Sequence, residues 1–390
     1  MEDPRPLIVH VVYRFAVGGL ENGIVNLVNR MPAQSWRHAI VSLTDASEAF
    51  CRRLARDDVT VVSLHKPPGH AVRLYPQLFD LFRARRPTVV HTRNLAALEA
   101  VVPAWAARVP VRIHGEHGRD MSDVDGSSRR YRMVRRVYRP FVHRYVALSH
   151  DLEHYLIDGV GVPRDRVRHI YNGVDTERFQ PAPAGRAGTD DMPVFDADAF
   201  VVGTVGRMER VKDQANLVQA FLLAIRDGSE HASRLRLVLV GDGPMRGELE
   251  AMVQAAGAAD RVWLAGERSD VPAMMRGLDC FVLPSLAEGI SNTLLEAMAS
   301  GLPVVATRVG ANADLLEEGV TGFVVPRADP EALAAAILRY AADPALARRH
   351  GAAGRERAQQ RFSIGRMVAD YEDLYARAIR GSVRTGSSPR

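Results

Sequence analysis

Glu288 and Glu296 stand eight positions apart, with Gly289, Ile290, Ser291, Asn292, Thr293, Leu294 and Leu295 between them. An apolar run at 280–283 reaches this segment through Pro284 and Ser285, and the stretch after the turn reads as the opening of a helix. The first amides of a helix have no intrahelical partner and form its positive end. The run therefore predicts an anion site flanked by acids, an arrangement suited to a sugar joined to a diphosphate. A plainer reading also fits: Thr293-x-x-Glu296 spells a capping box, and Glu288 is a solvated acid in a turn.

Four other clusters carry chemistry. Gly206-Arg207-Met208-Glu209-Arg210-Val211-Lys212 follows the apolar run at 200–205. Arg207 offers a planar fork and Lys212 a point charge, a pair able to neutralise a diphosphate, although a solvated charged turn has the same composition. His114-Gly115-Glu116-His117-Gly118 follows the run at 111–114. Histidine shifts protons near neutral pH or donates to a developing charge. A metal reading lacks a third ligand at sensible spacing. Structural histidines remain an alternative, and the flanking glycines favour a loop that hugs a ligand. Gly18-Gly19 follows the first run and permits positive φ and close backbone approach, or simply a tight turn. It is not G-x-G-x-x-G, and no acid follows the next strand in the dinucleotide manner, which argues against NAD. Finally, residues 129–139 interleave six arginines with Tyr131, Met133, Val134, Val137 and Tyr138. Such a helix suits an anionic membrane surface or a solvated face paired with acids. Without a recognised nucleic-acid module around it, nucleic acid is the lesser option.

These residues need a scaffold, and the chain supplies a regular one. Strand-like runs occur at 7–12, 38–43, 59–64, 88–92, 111–114, 145–149 and 166–171. They resume at 200–205, 235–240, 261–265, 280–283, 303–307 and 322–325. Most are short, β-branched and continuously apolar, as in parallel strands covered on both faces. Amphipathic segments separate them, such as Ile24, Leu27, Val28 and Met31 on one helix face. The alternation stops at 180–198, where Pro181, Pro183, Gly185, Gly188, Asp190, Asp191 and Pro193 read as a linker. The expected fold is α/β: two doubly wound, Rossmann-like domains.

Composition agrees. The 390 residues are too many for one ordinary core, and 47% hydrophobic with 25% charged residues is normal for a globular protein. A net charge of +5 suits an anionic substrate or a membrane surface. The two cysteines, Cys51 and Cys280, lack metal-ligand spacing, which favours a reducing cytosol. No run approaches the roughly 20 apolar residues needed to span a bilayer, and 1–6 does not read as a signal peptide.

With these residues in hand, the chain resembles glycosyltransferase family 4, retaining enzymes of the GT-B fold, from about residue 7 to 379. E-x7-E matches at Glu288 and Glu296, and G-R-x4-K at Gly206, Arg207 and Lys212. H-G-x-D matches at His117, Gly118 and Asp120, and Asn172-Gly173-Val174-Asp175 is also typical of the group. The 112–120 loop looks like a bacterial branch tied to exopolysaccharide clusters of the PEP-CTERM/exosortase type. The resemblance implies two Rossmann-like domains facing across a cleft. Residues 1–178 would bind the acceptor, 179–198 form a linker, and 199–362 bind the nucleotide sugar. A helix at 363–380 would cross back to the first domain, followed by a disordered tail at 381–390.

It also implies roles. Arg207 and Lys212 would clamp the donor diphosphate, helped by backbone amides near Asn292, Thr293 and Leu294. Glu296 would accept from the ribose hydroxyls, and Glu288 would contact the donor sugar. His117 would hydrogen-bond that sugar, with His114 a competitor for the role. Gly18, Gly19, Gly206, Gly289 and Ile290 complete the donor contacts, and base contacts would come largely from backbone near 263–268. The implied activity is hexosyl transfer from a UDP- or GDP-sugar to a lipid-linked or polysaccharide acceptor, in the cytoplasm or peripherally on the inner membrane face. No metal and no cofactor beyond the donor are called for. A soluble acceptor, as in sucrose- or trehalose-type synthases, and a non-catalytic nucleotide-sugar-binding protein are the alternatives. Two domains on a short linker are expected to hinge around the donor.

Overall fold

A computed structural model describes residues 3–118, 123, 126–183, 189, 191–193, 195–196 and 198–386, with side chains to 382. Asp120 of the H-G-x-D match lies outside them, as do Gly185, Gly188 and Asp190 of the expected linker and 387–390 of the expected tail. The chain divides into two compact units, Met1–Gly173 with Ile364–Arg390, and Val174–Ser363.

The first unit is built on β1 (Leu7–Val12), β2 (Arg37–Ser42), β3 (Thr60–Ser63), β4 (Val89–Arg93), β5 (Val111–Glu116), β6 (Arg144–Ala147) and β7 (Val167–His169). All pair in parallel, in the order β3-β2-β1-β4-β5-β6-β7. Winding outward from β1 to one side and from β4 to the other leaves a topological switch point between them, where open sheets hold ligands beyond the strand ends. Val9, Val11, Ala39, Val41, Val90 and Phe82 pack one face of the sheet, and Val12, Phe15, Ile24, Val28, Ile40 and Phe50 another cluster. The last helix, Ile364–Gly386, belongs to this unit and packs on helix Gly19–Arg30 and β5. Its Glu372 accepts from the Trp36 indole at 3.0 Å.

The second unit repeats the plan with β8 (Phe200–Val205), β9 (Leu235–Val240), β10 (Val262–Gly266), β11 (Cys280–Leu283), β12 (Val304–Thr307) and β13 (Gly322–Val325). Their order is β10-β9-β8-β11-β12-β13, all parallel, so the switch point lies between β8 and β11. Leu217, Phe221, Leu237, Leu239, Val282, Ile337 and Tyr340 lie in its core.

Two boundaries differ from the sequence reading. The first unit hands over at Gly173/Val174, not 178, because the segment expected as linker is packed onto the second unit: Phe179 is buried, its carbonyl accepts from Arg355 Nη1 at 3.2 Å, and Met192 is buried too. The final helix runs on to Gly386 and does not stop at 380. Gly381 and Ser382 weaken a helix without ending it, since neither carries the clash of a proline.

Candidate active site

Every residue singled out in the second unit sits at the β8–β11 switch point or the helix that follows β11. Gly206 begins the loop after β8, and its amide bonds the Val240 carbonyl at 2.9 Å. The loop then turns through a short 3₁₀ segment, Arg210–Lys212, and meets the β11 loop where Leu286 N donates to Val211 O at 2.8 Å. That tie places the two motifs side by side. Lys212 Nζ donates to Glu288 Oε1 at 2.7 Å, and Ser285 Oγ donates to the same oxygen at 2.7 Å. The Glu288 side chain is only 7% exposed and Lys212 partly so. Arg207 is 77% exposed at its side chain and pairs with Glu209 at 2.8 Å.

The helix Asn292–Ala299 does not start as a capping box on Thr293. Ser291 is its cap, accepting from Leu294 N at 3.3 Å. This changes two expectations. The Leu294 amide is occupied by its own cap and is not open to a ligand; Asn292 and Thr293 form the exposed side of the first turn. Glu296 lies beyond capping reach, in the second turn. Burial pushes its carboxyl up to about 7, with Arg178 pulling the other way, and no described residue hydrogen-bonds it. A half-buried acid without a partner is costly unless a ligand completes it. Gly289 and Ile290 shape the turn before the cap. Opposite them Gly310 (φ +50) comes so close that a Cβ there would sit 1.9 Å from the Glu288 carbonyl oxygen. Near 263–268, Arg268 is held by Asp191 and by Asp270, the latter at 2.7 Å.

The two candidate histidines of the first unit sit in different surroundings. Adjacent residues in a strand point to opposite faces. His114 pairs across with Thr92 and shares a hydrogen bond with its hydroxyl at 2.9 Å; its Nε2 meets Glu116 Oε1 at 3.2 Å. Glu116 in turn takes Arg135 Nε at 2.5 Å and Nη2 at 3.1 Å. Burial alone would raise the Glu116 carboxyl, but Arg135 and His114 override it and hold it low. His114 is thus a satisfied structural histidine, and the His114–Glu116 pair is occupied by a guanidinium. One of the six arginines at 129–139 therefore faces inward. The others at Arg129, Arg130 and Arg136 are exposed, beside Met133 and Val137 at 56% and 59% exposure.

His117 belongs to the opposite face. Its backbone N donates to Asn94 Oδ1 at 2.7 Å, while both ring nitrogens are buried without a described partner. A Cβ on Gly115 would lie 2.8 Å from His117 Nε2 and 3.2 Å from His91 Nε2, so the ring needs that glycine. Burial, then Arg93 and His114, push the imidazole well below its usual range, so it stays neutral.

Sequence reading missed what surrounds it. Arg93, at the end of β4, is 2% exposed, and no described carboxylate lies within ion-pair distance. Its Nη1 donates to His10 Nδ1 at 2.8 Å, which leaves His10 Nε2 to donate to His38 Nδ1 at 3.0 Å. Tyr371 and Tyr375 of the last helix lie near enough for the Arg93 charge to pull their hydroxyls down against burial, which pushes them up. Tyr375 meets His91 Nδ1 at 2.8 Å. Asn94, next in sequence, is left-handed (φ +58) and carries the His117 tether. The available signal was polarity in the wrong place: His10, His38 and His91 interrupt otherwise apolar strands.

Gly18 and Gly19 do not adopt positive φ. Gly18 is extended and precedes the helix Gly19–Arg30. A Cβ on Gly18 would meet Glu21 Oε2 at 2.2 Å, the mobile end of a side chain that can swing aside, so neither φ nor backbone crowding demands a glycine there.

Known proteins match this layout. A profile described as Glycosyltransferase Family 4 covers residues 17–178, and one described as Glycosyl transferases group 1 covers 199–343. The chain is 34% identical over 326 residues to the putative glycosyltransferase EpsF of Bacillus subtilis, spanning 78% of this chain and 80% of that one. It is 33% identical over 374 residues to the lipopolysaccharide core biosynthesis glycosyltransferase LpsD of Rhizobium meliloti, spanning 93% and 96%. Anabaena HepE, solved with UDP and glucose, superposes with a TM-score of 0.76 over 96% of this chain and 100% of that one, at 21% identity. That likeness, with the two parallel sheets, makes the fold GT-B.

Proposed function

The chain belongs to glycosyltransferase family 4, and from that premise we propose that it moves a hexose from a UDP- or GDP-sugar to a lipid-linked or polysaccharide acceptor, with retention at the anomeric carbon. The observation that carries the reading is the Lys212–Glu288 contact of 2.7 Å at the β8–β11 switch point. It supports the reading because a cation able to bind phosphate and an acid able to bind a sugar stand within one ligand's reach. Arg207, on the same loop and largely exposed, supplies the second cation. Glu296, with no hydrogen-bond partner for its carboxyl among the described residues, is suited to accept from ribose hydroxyls. His117, neutral and with no partner at either ring nitrogen among the described residues, is suited to hydrogen-bond a sugar hydroxyl. The Asn292 and Thr293 end of the helix adds its positive pole.

Retention requires a carboxylate nucleophile on the face away from the leaving group, or attack from the same face. No residue in this reading serves as that nucleophile, so same-face attack is proposed. The bond from the anomeric carbon to the diphosphate oxygen breaks, a bond to the acceptor oxygen forms, and the departing phosphate takes the acceptor's proton. Arg207 and Lys212 stabilise charge growing on that phosphate, a task that needs no metal in this reading. The lipid-linked acceptor, in an exopolysaccharide system of the PEP-CTERM type and at the inner membrane face, draws on the exposed Arg129, Arg130 and Arg136 beside Met133 and Val137. Among the described residues no helix is long and apolar enough to cross a membrane.

The test is a thermal-shift screen of nucleotide sugars on the purified chain, followed by product analysis. The true donor raises the midpoint most, because it binds the folded state alone. Released nucleotide and an α-linked product from an α-linked donor support the reading. Binding without release would favour a non-catalytic protein, and an inverted product would remove same-face attack. Acceptors offered on anionic vesicles and in soluble form separate the lipid-linked reading from the soluble one.

A further inference from the structure

A second constellation lies in the first unit, made of residues that no role above has taken up. His150 and Glu153 sit three positions apart on the short helix His150–His154, whose start is fixed by Ser149 Oγ accepting from Leu152 N at 3.1 Å. His169 ends β7, the edge strand of the sheet. One ligand atom from each of the three lies within 4.8 Å of the other two. His150 Nδ1 and Glu153 Oε2 are 3.2 Å apart. Donors bound at about 2.0–2.2 Å to one tetrahedral ion stand about 3.3–3.5 Å from each other. That edge is close to tetrahedral length, and the His169 donor lies within 4.8 Å of both. The His150 and His169 rings meet edge to face, centroids 4.4 Å apart, with Tyr171 backing His169 at 4.2 Å. Arg164 stands 3.8 Å from the other Glu153 oxygen, Oε1, which leaves Oε2 toward the histidines.

We propose that His150, Glu153 and His169 form a binding site for a divalent transition ion of the zinc class, with water in the fourth position. The donor set decides the class. Two imidazoles and one carboxylate suit zinc, cobalt or nickel, whereas calcium and magnesium demand mostly oxygen. The ion cross-links the helix after β6 to the end of β7, five residues before the chain enters the second unit at Val174. It therefore stabilises the first unit by tying those two elements together.

Untagged full-length protein, stripped with chelator, is titrated with zinc by calorimetry and with cobalt by visible absorption. One equivalent should bind, cobalt should give the intense bands of a tetrahedral site, and zinc should raise the unfolding midpoint. His150→Ala and His169→Ala should each abolish all three effects, and Glu153→Gln should weaken binding by about tenfold or more. Circular dichroism checks that the variants fold, and His169→Gln serves if the alanine does not. Zinc binding of equal affinity in wild type and the His150/His169 double variant overturns the proposal, as does an octahedral cobalt spectrum or no binding at all. None of these readouts depends on transfer activity.

Discussion

The two switch points solve opposite electrostatic problems. In the second unit each cation has its own acid: Lys212 on Glu288, Arg207 on Glu209. In the first, Arg93 is buried among His10, Tyr371 and Tyr375, all neutral groups, with no described carboxylate at ion-pair distance. A cation already paired loses little when a phosphate replaces its carboxylate, since one anion is exchanged for another. A buried pair cannot simply be opened, because each lone charge would be stranded. On the proposed reading the second unit is built for exchange: an arriving diphosphate would take Lys212 and release Glu288 for the sugar in one event. The first unit is built for fixity: a hydrogen bond from its backbone to Asn94, not an ion pair, holds His117 in place.

The sharpest way to break the exchange idea is Lys212→Ala. Removing one donor from a developing oxyanion costs about 3–4 kcal/mol of barrier, or about 10²–10³ in turnover. Glu288→Gln should also slow transfer. The double variant should fall well short of the product of the two effects, because the residues act as one unit. Steady-state rates for the four proteins decide it. Near-normal turnover in Lys212→Ala removes the diphosphate assignment, and full additivity removes the exchange.

Fixity in the first unit is probed by Asn94. Glycine tolerates φ +58 better than asparagine, so Asn94→Gly should leave stability within about 1 kcal/mol of wild type. It also deletes the carbonyl that holds His117 N at 2.7 Å. Misplacing a substrate contact by about an ångström costs up to about a hundredfold, so turnover should drop by about ten- to a hundredfold. Asn94→Asp keeps both the acceptor and the tolerance for left-handed backbone, and should recover most of the loss. If Asn94→Gly turns over normally, the tether is only structural.

How much of this was legible beforehand follows the same divide. The second unit's site is local: Arg207 to Lys212 and Glu288 to Glu296 are two short segments, each beside a strand whose apolar, β-branched run announces it. All thirteen strands of the two sheets fall on runs visible in the sequence. The first unit's site is assembled from β1, β2, β4, β5 and the last helix, so His10, Arg93 and Tyr375 meet only after the sheet forms. No spacing rule connects residues hundreds of positions apart. Arg135 was illegible for a related reason: among six arginines on one helix, only the position of Glu116 decides which points inward. The handover at Gly173 escaped because prolines and glycines mark irregular backbone but not the core it packs against. Cap identity turned on a single hydroxyl, Ser291 over Thr293, a distinction sequence spacing alone leaves open.

The smallest effect tests whether Glu296 is held in reserve for a ligand. Its carboxyl sits at about 7 because of burial, against an ordinary 4.5. Between those values the folded protein holds a proton that the unfolded chain has lost, so stability falls as pH rises from about 4.5 and levels off above about 7. At about 1.4 kcal/mol per unit the ceiling is about 3 kcal/mol, and partial exposure brings the expected cost to the order of 2 kcal/mol. Glu296→Gln removes the ionisation. Unliganded, the variant should match wild type near pH 5 and exceed it near pH 8. Nucleotide should reverse the order at the higher pH, since an ionised Glu296 accepts strongly from ribose hydroxyls and a glutamine accepts weakly. Unfolding midpoints across that range, with and without UDP or GDP, show whether the curves cross. Parallel curves would mean that Glu296 has found its partner within the fold and is not waiting for one.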